Sequence, residues 1–76
     1  MKEIVEIMAR ALVDRPQAVS VKEISGAHSS IVELSVAKED VGKIIGKQGR
    51  TADAIRTIVS AVSAKTKKRS VLEIID

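Results

Sequence analysis

The spacing of the aliphatic residues constrains this chain of 76 residues more than any other feature. It runs from helical to alternating, returns to helical, and ends alternating. Residues 3–14 are predicted to form a helix. Ile4, Met8, Ala11 and Leu12 recur at helical spacing, and Val5 and Ile7 widen the stripe. Pro16 stops that helix, because proline lacks the amide donor and pushes Arg15 out of helical geometry. Val19 and Val21 then alternate with Ser20 and Lys22, which predicts a strand through about Ile24. Ile24 is out of phase with the valines, so a bulge or a face switch is expected near it. After the turn-rich Ser25 to Ser30, the alternation of Val32, Leu34 and Val36 predicts a second strand. The short connection makes the pair an antiparallel hairpin.

Two helical patterns follow. Lys38–Ile45 is short, with Val41, Ile44 and Ile45 on one side and Glu39 and Asp40 suited to its first turn. Arg50 to about Ala64 is longer, with a stripe of Ile55, Ile58, Val59 and Val62. Val71-Leu72-Glu73-Ile74-Ile75 reads as a closing strand. The order α-β-β-α-α-β joins the second and third strands through two helices, a crossover that returns right-handed to a parallel position. The expected fold is an α/β (α+β) two-layer sandwich, a three-stranded mixed sheet with three helices on one face, formed by residues 1–76 as a single domain. The other sheet face stays exposed, which suits the polar alternates Lys22, Glu33, Ser35 and Glu73.

The chain has no cysteine and no aromatic residue, so its core must be built from Ile, Val, Leu, Ala and Met. Neither a disulfide framework nor a thiolate metal site is available, and the lone His28 makes no metal site by itself. No cofactor and no small-molecule substrate is expected. His28 lies beside Ser29 and Ser30 in a polar turn, where neighbours seldom form a triad. No acid, base and nucleophile converge, so an enzyme is not expected. The net charge of +3 permits a polyanionic partner without demanding one. No apolar run is long enough to cross a bilayer, and MKEIVEIMAR is amphipathic rather than a signal sequence, so a cytoplasmic location is expected.

The stretch IIGKQGRT, residues 44–51, is the part that packing does not explain. Gly46 has an ordinary reading as a helix cap. Three features favour an anion site instead. The loop opens the longer helix, where unpaired amides and the dipole attract anions. Its interior is Lys47-Gln48, with Arg50 next. The absent side chains of Gly46 and Gly49 let a phosphodiester backbone approach the main chain.

VGKIIGKQGRTADAIRTI, residues 41–58, resembles the core of the KH RNA-binding domain: an apolar pair, a G-x-x-G loop, then spaced apolar positions in the next helix. Ile44, Ile45, Gly46, Lys47, Gln48, Gly49 and Ile55 carry the match. The element order resembles the prokaryotic, type II arrangement, and size and wording resemble the small bacterial single-KH proteins of the KhpA family. The resemblance implies a groove for about four nucleotides of single-stranded RNA, with the loop clamping the backbone. Gly46, Lys47, Gln48 and Gly49 would contact phosphates and sugars, Lys43 and Arg50 would flank them, and Ile44, Ile45 and Ile55 would support an aliphatic floor. It also implies an RNA chaperone or post-transcriptional regulator that forms a homodimer, or a heterodimer with a larger KH-containing protein of the Jag type. One departure is Ala52, where the family often has a large aliphatic; the groove is shallower there, which argues against strong base selectivity. The lack of aromatics agrees with aliphatic recognition and disfavours ring-stacking modules.

Other features read two ways. Lys65-Thr66-Lys67-Lys68-Arg69 is a solvated loop aided by cations at a helix C-terminus, or a secondary RNA contact through Lys67, Lys68 and Arg69. Asp53 and Arg56 belong to the solvated side of their helix, and the spacing leaves open whether Arg56 turns toward the groove. The apolar residues on several faces of the first helix suit a small core or a subunit contact, so an assembly module with RNA binding secondary is the alternative function. A helix-turn-helix for duplex DNA over residues 38–64 is weaker, because a glycine-bracketed loop fits phosphate clamping better.

Overall fold

A computed structural model describes residues 1–75. Its elements follow the expected order: α1 (Lys2–Leu12), β1 (Ser20–Ser25), β2 (Ser29–Ser35), α2 (Val41–Ile45), α3 (Arg50–Thr66) and β3 (Arg69–Ile75). Short 3-10 turns at Pro16–Ala18, Lys38–Asp40 and Lys47–Gly49 join them. The sheet order is β1-β2-β3, with β1 antiparallel and β3 parallel to β2, so the mixed sheet is as expected. No helix among the described residues is long and apolar enough to cross a membrane.

Alternation places Val21, Val32, Leu34 and Leu72 on the helix-covered face, where all are buried together with Ile44, Ile55 and Val59. Burying each such aliphatic side chain is worth about 1.5–3 kcal/mol, which is how a core without rings holds the two layers together. On the opposite face Lys22, Glu33 and Glu73 stand side by side across the three strands.

Four expectations change. No bulge occurs at Ile24, because the register with β2 runs unbroken from Ser20 to Ser25. Ile24 is out of phase because it truly faces outward, in a row with Ile31 and Val71 that is apolar yet exposed. The first helix ends at Leu12, with Val13 already extended. The carboxylate of Asp40 accepts the Arg15 amide at 3.0 Å, so that donor serves a tertiary contact instead of another helical turn.

The buried face of α1 is also rotated from the expected stripe. Val5 and Ala9 are sealed, whereas Leu12 is exposed and Ile7 is 68% exposed. Ala9 is small enough for close approach to the sheet, and a hydrophobicity pattern under-reads it. In α3 the inward positions are Ala52, Ile55, Val59 and Ser63, and Ile58 is exposed.

Candidate nucleic-acid interface

The loop between α2 and α3 reverses the chain through left-handed backbone. Gly46 has φ 76, Gln48 has φ 57 and Gly49 has φ 74. The Gly46 amide donates to the Gly42 carbonyl at 2.9 Å and closes α2, and the Gly49 amide donates to the Gly46 carbonyl at 3.2 Å. Gln48 is the one non-glycine in this run, at a conformation that costs an L-residue about 1–2 kcal/mol.

The two glycines do different things. A Cβ on Gly46 would lie 2.6 Å from the Thr51 Cβ and 2.8 Å from the Thr51 amide nitrogen, so packing against the first turn of α3 excludes it. A Cβ on Gly49 would meet nothing within 4 Å. The capping reading therefore accounts for Gly46 alone. Gly49 is a bare stretch of main chain facing open space at the N-terminus of α3, which no side chain caps. The positive end of the helix dipole lies there.

Lys47, Gln48 and Arg50 are exposed around this point. The ion pairs among the described residues include neither Lys47 nor Arg50. Lys43 is placed differently. Its ammonium lies 3.2 Å from Asp14 Oδ2 and 3.6 Å from Asp40 Oδ1. Its pKa is raised, chiefly by the hydrogen bond and charge of Asp14, with Asp40 adding to both effects. Lys43 thus ties α2 to the chain entering β1, and its charge is already matched.

Beside the loop, a hollow of about 310 Å³ opens between α2, α3 and β3, lined by Val41, Ile45, Gly49, Ala52, Asp53, Arg56 and Ile74. Of the three isoleucines expected at its floor, Ile45 alone fronts it, at 41% exposure. Ile44 is wholly buried and Ile55 nearly so, which corrects their expected role from contact to support from behind. The sliver of Ile55 surface opens into a separate hollow on the α1 side of α3.

Asp53, expected on the solvated side, and Arg56, whose orientation the spacing leaves open, both border the groove and pair at 3.6 Å. That gives the hollow one acceptor-only carboxylate and one guanidinium within reach of a bound group. Ile74, on the opposite wall, escaped sequence reasoning because only the docking of α3 along β3 brings it there. β3 is an edge strand, so its outer main-chain donors and acceptors are unpaired in the sheet.

The basic run lies far from the loop. α3 extends through Thr66, two residues beyond expectation, and at 17 residues spans about 25 Å. Lys67 caps it with left-handed backbone, and Lys68 and Arg69 lead into β3.

A family model described as KhpA/KhpB, KH domain, matches residues 2–74. The RNA-binding protein KhpA of Caldanaerobacter subterraneus subsp. tengcongensis is 60% identical over 75 residues, covering 99% of this chain and 100% of that protein. The RNA-binding protein KhpA of Clostridium perfringens is 57% identical over the same coverage, and that of Halalkalibacterium halodurans is 54% identical over the full length of both chains. No solved structure matches the chain.

Proposed function

The chain belongs to the KhpA/KhpB KH-domain family, and from that premise we propose that it is a non-enzymatic protein that clamps single-stranded RNA with its Gly46–Gly49 loop. The observation that carries this reading is the open face of Gly49 at the uncapped start of α3, directly bordering the groove. A phosphodiester can approach the main chain there without meeting a side chain. Lys47, Gln48 and Arg50 supply donors to phosphates and sugars, and Gly46 holds the loop's shape against Thr51. Bases lie over Val41, Ile45, Ala52 and Ile74, with Asp53, Arg56 and the free edge of β3 facing their polar rims. Lys43 supports the loop indirectly, since Asp14 and Asp40 occupy its ammonium.

With Lys47 and Arg50 as the principal cations, binding is weak and mildly salt-dependent, with a log–log slope of about −1.4 for two phosphates. Weak, sequence-tolerant binding suits an RNA chaperone or post-transcriptional regulator. The test is titration of a short single-stranded RNA and of duplex DNA of the same sequence across a salt series. Preference for the single strand with a shallow slope supports the reading; preference for the duplex overturns it.

A second surface favours assembly alongside RNA binding. Met8, Leu12, Ala54 and Ile58 line a hollow of about 300 Å³ between α1 and α3, on the side of α3 away from the groove. It is the natural seat for a second copy of this chain or for a larger KH-containing protein of the Jag type. Ile58→Glu should then sediment as a lighter species while RNA affinity holds; unchanged sedimentation removes this surface from the account.

A further inference from the structure

The exposed aliphatic side chains are not scattered over the surface. Among the described residues, Ile45 belongs to the groove, and Leu12 and Ile58 belong to the hollow between α1 and α3. Ile24, Ile31, Val71 and Ile75 instead share the outer face of the sheet, the face turned away from the helices. The first three form one row across all three strands, each between 37% and 46% exposed. A β-branched residue suits any pleated surface, so this row by itself carries nothing.

What carries weight is the charge on either side of the row. On one side Glu33 and Glu73 are register neighbours on β2 and β3, a like-charge pairing that costs stability. Lys22 stands beside Glu33 across the hairpin, which leaves Glu73 the less compensated of the two. On the other side of the row Arg69 neighbours Ser29. Glu33, Glu73 and Arg69 are in none of the ion pairs among the described residues. Along β3, therefore, an exposed cation and an exposed anion flank Val71 at equal distances, each about 6.6 Å away along the strand.

We propose that this face docks on the same face of a second copy of the chain, across a two-fold axis lying along the Ile24–Ile31–Val71 row. Such an axis lays each strand antiparallel over its own copy, the self-complementary contact that two-fold symmetry requires. The three aliphatics then meet their own copies. Glu73 meets Arg69 of the second copy, and Arg69 meets Glu73, so both unpaired charges are matched twice per dimer. Glu33 meets the hydroxyl of Ser29. A two-fold along β2 would instead set Glu33 against itself between the sheets, which like-charge repulsion disfavours. Packed sheets lie about 10 Å apart with strands within about 30° of alignment, a gap that facing arginine and glutamate side chains bridge.

The size of the patch sets the strength of the contact. Three strands and three outward rows cover about 300 Å² a side, against about 800 Å² in a standard stable interface, so the association is weak. The face lies across the sheet from α1 and α3, so it is separate from the hollow lined by Met8 and Ile58. A chain that uses both surfaces assembles beyond a dimer. The RNA-binding reading is not needed for this inference.

The experiment uses Ile58→Glu, which closes the α1–α3 hollow to a partner and leaves the sheet face to be read alone. Sedimentation equilibrium of that chain between about 10 μM and about 1 mM, the range for an interface of this size, should show a monomer–dimer equilibrium. Adding Arg69→Glu, or adding Glu73→Arg, sets like charges face to face and should weaken association at least about tenfold. Adding both together reverses each pair and should restore association to within about threefold of the Ile58→Glu chain. The two single changes move the net charge in opposite directions, so a loss common to both is not a net-charge effect. Thermal unfolding of each chain verifies the fold. An Ile58→Glu chain that stays monomeric throughout, single variants that associate undiminished, or a double variant no better than the singles overturns the proposal. None of those results bears on the loop clamp, which is read by RNA affinity.

Discussion

Gly46 lies against Thr51 so closely that an added Cβ would come within 2.8 Å of the Thr51 amide nitrogen, whereas the same atom on Gly49 would point into open space. The two glycines of one loop are therefore separable by experiment. Gly49→Ala should cost about 1–2 kcal/mol, the penalty of left-handed backbone for an L-residue, and should weaken RNA binding. Gly46→Ala should cost about 1–3 kcal/mol more, because the Thr51 main chain cannot yield without displacing α3. Urea unfolding of the two variants checks the order.

Asp40 is the buried fastener of the α1–β1 connection. It is 1% exposed, accepts the Arg15 amide at 3.0 Å and lies 3.6 Å from the Lys43 ammonium. Asp40→Ala should destabilise the chain by about 1–3 kcal/mol, because it strands the Arg15 donor, and Asp40→Asn should cost less by keeping an acceptor. Equilibrium denaturation measures both.

The raised pKa of Lys43 sets the sign of a pH effect. Folding favours its charged form, so its contribution is complete below the ordinary value of 10.5 and disappears as pH rises through the higher folded value. The stability gap between the wild type and Lys43→Met should be constant from about pH 7 to about pH 9 and close above that range. Thermal unfolding of the pair across pH checks it; a gap that closes below about pH 9 contradicts the assignment.

Ile45 fronts the groove while its neighbour Ile44 is sealed in the core. Ile45→Ser should weaken RNA binding by roughly fivefold, about 1 kcal/mol of lost apolar contact, with a comparable or smaller loss of stability. Ile44→Ser should instead compromise the fold. Calorimetric titration and thermal unfolding of both variants separate a floor residue from a core residue.

The topology was legible because the apolar period switches cleanly, from Met8 and Leu12 at helical spacing to Val32 and Leu34 in alternation. What stayed hidden depends on tertiary choices. The phase of α1 turns on Ala9, whose burial reflects small size rather than hydrophobicity. Ile24 suggested a bulge because an isoleucine on an exposed sheet face looks like a misplaced core residue. The loop could be read from its glycines, but its opposite wall could not. Ile74 joins the groove because α3 lies along β3, and nothing local to the residue says so. Asp40 likewise reaches Arg15 across 25 positions of sequence.

The most direct measurement pairs RNA affinity with thermal stability in Lys47→Asp/Gln48→Asp. Both side chains are exposed, and aspartate tolerates the left-handed backbone that Gln48 adopts, so stability should stay within about 0.5 kcal/mol of wild type. Two negative charges set where a phosphate should lie ought to lower affinity for short single-stranded RNA by at least about tenfold. Undiminished RNA affinity in the folded variant would contradict the clamp.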